Sequence, residues 1–365
     1  MKNTFGQSVS VTVFGESHGR GVGAVIDGLA PGMEVSGEEI ARQLSRRRPS
    51  SPLDTARQEK DPFEILSGVF HGRATGTPLC IFIPNGDARS GDYTYGPARP
   101  SHADYAAHCK YHGFEDYRGG GHFSGRVTAA LTAVGGILLP ALEKLGVEIG
   151  THILECGGVR DREFEDVAGD VRALRNRAFP VLEEDCAGQM SRRILEAREE
   201  QDSVGGVTQT AIAGLMPGLG EPWFDSLESI LAHAVFSVGG VKGIEFGAGF
   251  AGTKLPGSRF NDPMRMADGR VVTESNHNGG INGGISNGMP VVFQCAVKPT
   301  PSISRPQRTV DFLRGEDTEL TIRGRHDPAI IRRVCPVLDS VTAIAVADVL
   351  AQRYGTDVFT RGTGT

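Results

Sequence analysis

Arg118-Gly119-Gly120-Gly121-His122-Phe123-Ser124-Gly125-Arg126-Val127-Thr128 is a glycine-rich loop that runs straight into an apolar helical pattern. Three consecutive glycines let the backbone enter the left-handed region and approach a ligand closely. Ser124 is a good N-cap for the apolar positions Val127, Leu131, Val134, Leu138, Leu142 and Leu145, whose spacing predicts a helix with one buried face. A helix N-terminus offers unpaired N–H groups and partial positive charge. The arginines at either end of the loop add planar forks suited to phosphate or carboxylate. The stretch therefore predicts an anion site at a loop–helix junction.

Outward from this junction the chain alternates short strand and helix signals. Upstream, the alternation of Val9, Val11 and Val13 and the run 24–26 predict two strands around a glycine-flanked tip that carries Ser17 and His18. The glycines there have the wrong spacing for a dinucleotide fingerprint, and no helical pattern follows them. Ser36-Gly37-Glu38-Glu39 reads as a capping box that opens a helix with Ile40 and Leu44 inward, ended by Pro49. Arg46, Arg47 and Arg48 fall in its last turn. At about 100° per residue they cannot share one face, so at most two point into a pocket. The segment 50–61 reads as an exposed loop, and 65–83 as two strands.

Downstream, 147–153 and 207–212 read as strands, 180–204 and 226–236 as helices, and Gly239-Gly240 as a turn into a strand over 241–247. The segment 250–288 reads mostly as loop, 290–297 as a strand, and a C-terminal apolar helix is expected around 341–350. No internal repeat or linker composition interrupts the chain, so a single domain over 1–365 is expected.

Fifty glycines among 365 residues, without a collagen-like period, fit a loop-rich α+β enzyme. A net charge of −6 argues against a nucleic-acid protein. Arginines nevertheless gather at 46–48, at 99, 118 and 126, and over 323–333, which predicts a positive pocket for a small polyanion. The six scattered cysteines include no CxxC pair and suit a reducing compartment. Neither a signal-peptide pattern nor an uninterrupted apolar run of membrane-spanning length is seen, so a cytoplasmic protein without a membrane partner is expected. His102, His108 and His112 raise a metal reading, but no glutamate lies between the i,i+4 pair in an HExxH manner, and no metal is expected.

Three glycine- or proline-flanked tips pair a histidine or aspartate with a serine or arginine: Ser17-His18, Arg99 with His102, and Arg325 with Asp327. With the Arg118–Thr128 loop they supply acid/base groups and cations, a set suited to proton transfer or elimination on a phosphorylated acid. The ordered blocks Gly15-Glu16-Ser17-His18-Gly19, Arg46-Arg47-Arg48-Pro49, Arg99-Pro100-Ser101-His102-Ala103-Asp104, the loop above, Lys298-Pro299-Thr300 and Arg325-His326-Asp327-Pro328 closely resemble the chorismate synthase family over nearly the whole chain.

The resemblance implies a β-α-β sandwich with helices between antiparallel sheets, normally a homotetramer. It implies a lyase of the shikimate pathway that converts 5-enolpyruvylshikimate 3-phosphate to chorismate and phosphate by anti-1,4-elimination, needing reduced FMN without net redox change. By position, His18 resembles the histidine that protonates the departing phosphate and His102 the one that protonates reduced flavin. Asp327 resembles the aspartate near flavin N5, with Ser17 and Ser124 in support. Arg48, Arg99, Arg126 and Arg325 resemble the substrate-binding arginines. Ser124, Gly125, Arg126, Gly239, Gly240, Lys298, Ser302 and His326 fall where the family contacts FMN. No appended reductase domain is evident, so an external flavin reductant is expected. The chain departs from the family pattern at His122 (usually arginine), Ser101 (usually glycine), Gly239-Gly240 (often Asn-Ala), Ala329 (often cysteine), and Leu53 or Asp54 (an arginine position).

Overall fold

A computed structural model describes residues 2–51, 53–54, 60–86, 93–322 and 327–363. Alternation of apolar residues near the N-terminus produces a first antiparallel sheet of β1 (Thr4–Phe5), β2 (Ser10–Gly15), β3 (Gly21–Asp27), β4 (Glu64–Ser67) and β5 (Leu79–Pro84), in the order β1-β2-β3-β5-β4. The β3–β5 register sets Val22 opposite Ile83, Ala24 opposite Ile81 and Ile26 opposite Leu79, and all six side chains are buried. A two-residue period thus gives this sheet one fully apolar face.

The second antiparallel sheet contains β6 (Glu148–Cys156), β7 (Val159–Arg160), β8 (Gly206–Ala213), β9 (Val241–Phe246) and β10 (Val291–Val297), in the order β9-β10-β8-β6-β7. The helices are α1 (Gly37–Arg47), α2 (Asp104–Tyr111), α3 (Thr128–Lys144), α4 (Val167–Leu174), α5 (Glu184–Glu199), α6 (Leu227–Phe236) and α7 (Ile331–Tyr354), with two further single-turn helices within 249–260 and one at Val358–Arg361. Helix α3 packs on β3 and β5, α7 packs on β6 and β8, and the two helices pack along each other. This is the expected sandwich, with a helical layer between two antiparallel sheets. Helix α4 also packs on β6 and β8, and those two strands are buried almost without interruption, as coverage on both faces requires.

Close approach within the helical layer depends on Gly135 and Gly136 of α3. A Cβ on Gly135 would lie 2.5 Å from Ser340 Cβ in α7, and one on Gly136 would lie 2.6 Å from Ile40 Cα in α1. The segment of α3 with its leading turn, Gly125–Lys144, and helix α7 have the length and mean hydropathy of membrane spans, yet both are largely buried inside the protein. Helices apolar on all sides are what a layer sandwiched between two sheets demands. Asp348 of α7 ties down the chain's start by accepting from the backbone N–H groups of Gln7, Ser8 and Val9 at 2.7–3.0 Å.

Some expectations from the sequence change. Helix α7 begins ten residues before the expected apolar core at 341. The segment 250–288 holds two hairpins, Met264–Ala267 with Arg270–Thr273 and Ile281–Asn282 with Ile285–Ser286, in place of mostly loop. Within 50–61, Asp54 and Asp61 are buried, not exposed: Asp54 pairs with Arg332, and Asp61 pairs with Arg47 and Arg126. A buried carboxylate needs a cation beside it, and the cations come from segments remote in sequence.

Candidate active site

The cleft lies where the Arg118–Thr128 loop, the Arg99–Asp104 turn, the Gly239-Gly240 turn and the start of α7 converge, and it encloses about 480 Å³. Gly119, Gly120 and Gly121 adopt φ of 61°, 85° and 53°, the left-handed geometry that glycine makes accessible. Ser124 then caps a single 3-10 turn, accepting from Arg126 N–H at 3.3 Å, and that turn runs into α3. The expected loop–helix junction is present, with the cap acting on the short turn ahead of the α-helix.

The glycines serve a specific packing. A Cβ on Gly119 would sit 2.5 Å from the His18 ring and 2.6 Å from Ser17 Oγ, so the absence of a side chain lets the β2–β3 tip lie against the loop. Ser17 Oγ donates to the Arg118 carbonyl at 3.1 Å, and Ser17 N–H donates to the Gly121 carbonyl at 3.1 Å. The His18 ring meets Tyr93 edge-on with centroids 5.2 Å apart, and the Arg99 guanidinium lies 5.8 Å from that same ring's centroid. Tyr93 therefore contacts both histidine tips.

At the second tip, Arg99 grips Asp104: Nε donates to Oδ2 at 2.8 Å and Nη2 donates to Oδ1 at 2.6 Å. Asp104 Oδ1 also lies 2.8 Å from His102 Nδ1. Burial works against the charged form of Asp104, but hydrogen bonds from Arg99 and His102 outweigh it and hold the carboxyl well below the usual carboxylate range. Lys298 Nζ donates to the Ser101 carbonyl at 2.6 Å. Burial, aided by Lys242, lowers the Lys298 ammonium from its ordinary value.

On the opposite wall, Asp327 accepts from Arg333 Nη1 at 2.6 Å, and Arg333 Nε donates to the Arg47 carbonyl at 2.9 Å. Arg126 is braced by Asp61, by Asn85 Oδ1 at 2.9 Å and by the Pro84 carbonyl at 3.1 Å.

Of the residues singled out in the sequence, His102, Arg99, Ser124, Gly125, Arg126 and Asp327 line this one cleft, as do Gly239, Gly240, Lys298 and Ser302. Ser17 and His18 lie directly behind Gly119. Arg325 and His326 are outside the described residues. Arg48 is not among the lining residues and donates to the Lys60 carbonyl at 2.6 Å, while Arg46 pairs with Asp339 at 2.8 Å. Of the three successive arginines only Arg47 reaches the cleft, in keeping with their angular spread. Arg118 turns away, held by Asp116 through bonds of 2.8 Å from both Nε and Nη2, so the loop contributes one cation, not two.

Arg47, Arg333 and the buried Asp61 were not assigned from sequence. Arg333 stands six positions after Asp327, and only the true start of α7 shows that it faces the cleft. The departures from the family pattern also find places. His122 donates from Nδ1 to the Gly15 carbonyl at 2.7 Å, outside the cleft wall, so it is a brace for the β2–β3 tip. Ser101 takes φ of 59°, in the glycine-favouring region. Gly239 has open space around it and offers backbone alone, and Ala329 is buried in the core. His108 bonds to the Tyr95 hydroxyl at 2.6 Å and packs on Phe312, and among the described residues no group of three or more potential ligands could hold a metal.

The sequence profile of chorismate synthase matches residues 9–351. The chain belongs to the chorismate synthase family. It is 44% identical over 356 residues to the chorismate synthase of Aeropyrum pernix, covering 96% of this chain and 93% of that protein. It is 44% identical over 350 residues to that of Pyrococcus abyssi, covering 95% and 97%. A crystal structure of chorismate synthase superposes with a TM-score of 0.76 at 27% identity, over 96% of this chain and 94% of the other. The chain is therefore a chorismate synthase-family enzyme, a carbon–oxygen lyase acting on phosphates, at the last common step of the shikimate pathway. The cleft described above is its candidate active site.

Proposed function

We propose that this chain, a single domain over 1–365, converts 5-enolpyruvylshikimate 3-phosphate to chorismate and phosphate by anti-1,4-elimination with reduced FMN in the same cleft. The observation that carries this reading is the charge of the cleft in a chain of net charge −6. Among its described lining residues, Arg47, Arg99, Arg126, Lys298 and Arg333 face a single carboxylate, Asp327. Asp61, behind the wall, pairs with Arg47 and Arg126, and Asp104 pairs with Arg99, so among the described residues cations outnumber carboxylates here, as a polyanion requires.

The residues also fit the flavin. A cleft of 480 Å³ is in the usual size range for small-molecule sites, roughly 300–1,000 Å³. Gly239 and Gly125 have no atoms within contact distance of an added Cβ, so the backbone there is open to a flat ring or phosphate. Ser124, Gly125, Arg126, Gly239, Gly240, Lys298 and Ser302 are the described residues that would hold it. When bound, reduced FMN supplies electron density to an elimination with no net redox change.

The chain's own groups then divide the work. His18, backed by Tyr93 and seated on Gly119, gives a proton to the phosphate oxygen as its bond to the ring carbon breaks. Arg47, Arg99 and Arg126 bind substrate anions and stabilise the charge on the departing group, with Arg325 assigned there by resemblance and Arg47 taking the place the resemblance gave to Arg48. His102 holds and exchanges a proton on the flavin side, and Asp327, assigned by resemblance near flavin N5, is the final acceptor of the ring proton, whose C–H bonding pair becomes the new double bond. Ser17 and Ser124 keep their loops in register.

Anaerobic incubation with the enolpyruvyl substrate and reduced FMN should release chorismate and phosphate in equal amounts. Absence of both products under those conditions refutes the reading. The same reading includes a homotetramer, measured by sedimentation equilibrium, and an external reductant, for which NADPH alone should leave added FMN oxidised. Six unpaired cysteines support a reducing, cytoplasmic site of action.

A further inference from the structure

Asp104 has no assigned role, yet it touches two residues of the site. It stands in the first turn of α2 and accepts from the Arg99 backbone N–H at 2.9 Å as well as from the Arg99 side chain. An ionised carboxylate can only accept. The proton in the 2.8 Å contact between Oδ1 and His102 Nδ1 must then reside on nitrogen. Arg99 Nη2 lies 3.0 Å from that nitrogen but is itself a donor, so the two N–H groups converge on one oxygen and do not bond to each other. The exchangeable position of the neutral ring is consequently Nε2. That edge faces Gly120, where a Cβ would come within 3.0 Å of Cε1 and 3.3 Å of Nε2.

We propose that Asp104 is a positioning residue for the reaction: it holds His102 as the Nδ1–H tautomer with Nε2 as the proton-exchanging atom, and it fixes the Arg99 guanidinium. The proposal rests on the reading of His102 as a proton-handling group. One carboxylate thereby couples acid/base geometry to anion binding. Of the five N–H donors of Arg99, Nε–H and one on Nη2 are committed to Asp104, which leaves the outer edge of the fork for substrate.

The test is nitrogen-15 NMR of the imidazoles in the ligand-free protein, with the His102 signals assigned by their loss in His102→Gln. The wild type should show His102 protonated at Nδ1 under conditions where the ring is neutral. Asp104→Ala should shift it toward the Nε2–H form and lower turnover by roughly 10-fold or more, while Asp104→Glu should retain the Nδ1–H form. A wild-type ring in the Nε2–H form, or a tautomer unchanged in Asp104→Ala, overturns the proposal. If Asp104→Ala fails to fold, the wild-type tautomer and Asp104→Asn decide it. Because the tautomer is read without substrate or flavin, a wild type that makes no chorismate would count against the lyase reading alone.

Discussion

His18 and Ser101 show how single positions bear on this site in opposite senses. His18 is placed by Gly119 beneath its ring and Tyr93 at its edge, and it is not one of the residues assigned to hold FMN. His18→Ala should therefore reduce turnover by about 10²–10⁴-fold, the range for a general acid, while FMN affinity stays within a few-fold. Stopped-flow turnover and flavin fluorescence titration read the two separately, and full turnover would remove the acid role. Ser101 carries a φ of 59° at a position where the family usually has glycine, and its carbonyl receives Lys298. A left-handed non-glycine residue costs roughly 1–2 kcal/mol, and glycine returns part of that through its freer unfolded chain. Ser101→Gly should accordingly raise stability by up to about 1 kcal/mol, seen as a higher denaturant midpoint at unchanged slope. A lower midpoint would mean that the Ser101 side chain makes an offsetting contribution.

Among the elements, the helical layer is where packing outweighs propensity. Replacing Gly135 by alanine favours a helix by about 1 kcal/mol. The new methyl would nevertheless sit 2.5 Å from Ser340 Cβ and 2.9 Å from Ser340 Cα, and the latter, being backbone, cannot swing aside. Overpacking of this kind costs typically 1–3 kcal/mol, so Gly135→Ala should destabilise; a midpoint raised by the substitution would show that α3 and α7 can slide apart cheaply. The same layer explains what the sequence could and could not tell. Strands β2 and β3 and the Ser36-capped helix α1 were legible because their signals are local: a two-residue alternation and a cap whose hydroxyl accepts from Glu39 N–H at 3.3 Å. The apolar middle of α7, 341–350, was legible, but its first turns were not. Arg332, Arg333, Pro336 and Asp339 break the apolar pattern there, and their partners Asp54, Asp327 and Arg46 lie on other segments. The site divides in the same way. Its histidines stood out at glycine- and proline-marked tips, whereas Asp61 and Arg333 acquire a role only once distant segments pack.

For the whole molecule, several buried or half-buried carboxylates set the response to acid. In Asp104, Asp161 and Asp262, burial alone would raise the carboxyl, but hydrogen bonding reverses its effect. Arg99 and His102 lower Asp104; His152 with the N–H groups of Leu182 and Glu183 lowers Asp161; Asn278, Ser275 and His277 lower Asp262. Each is thus depressed in the folded state relative to an unfolded value of about 3.9, so on acidification the unfolded chain takes up protons first. Their stabilisation is fully present above the unfolded value and is lost as pH falls toward the folded ones. Asp339 and Glu143 have the opposite sign, since burial raises their carboxyls despite Arg46 and Arg175, but they are two groups against three. Unfolding free energy from urea titrations should therefore be nearly level from about pH 7 to 5 with respect to these groups and fall steadily below pH 5. Asp262→Asn should make the acid limb shallower, because Asp262 ties together Ser275, His277 and Asn278 in the loop after the 264–273 hairpin. Added salt should restore little of the lost stability, since these carboxylates are partnered by fixed hydrogen bonds and screening acts mainly between exposed charges. Stability that stays flat or rises between pH 5 and 3 would show that the three depressed carboxylates do not govern the acid limb.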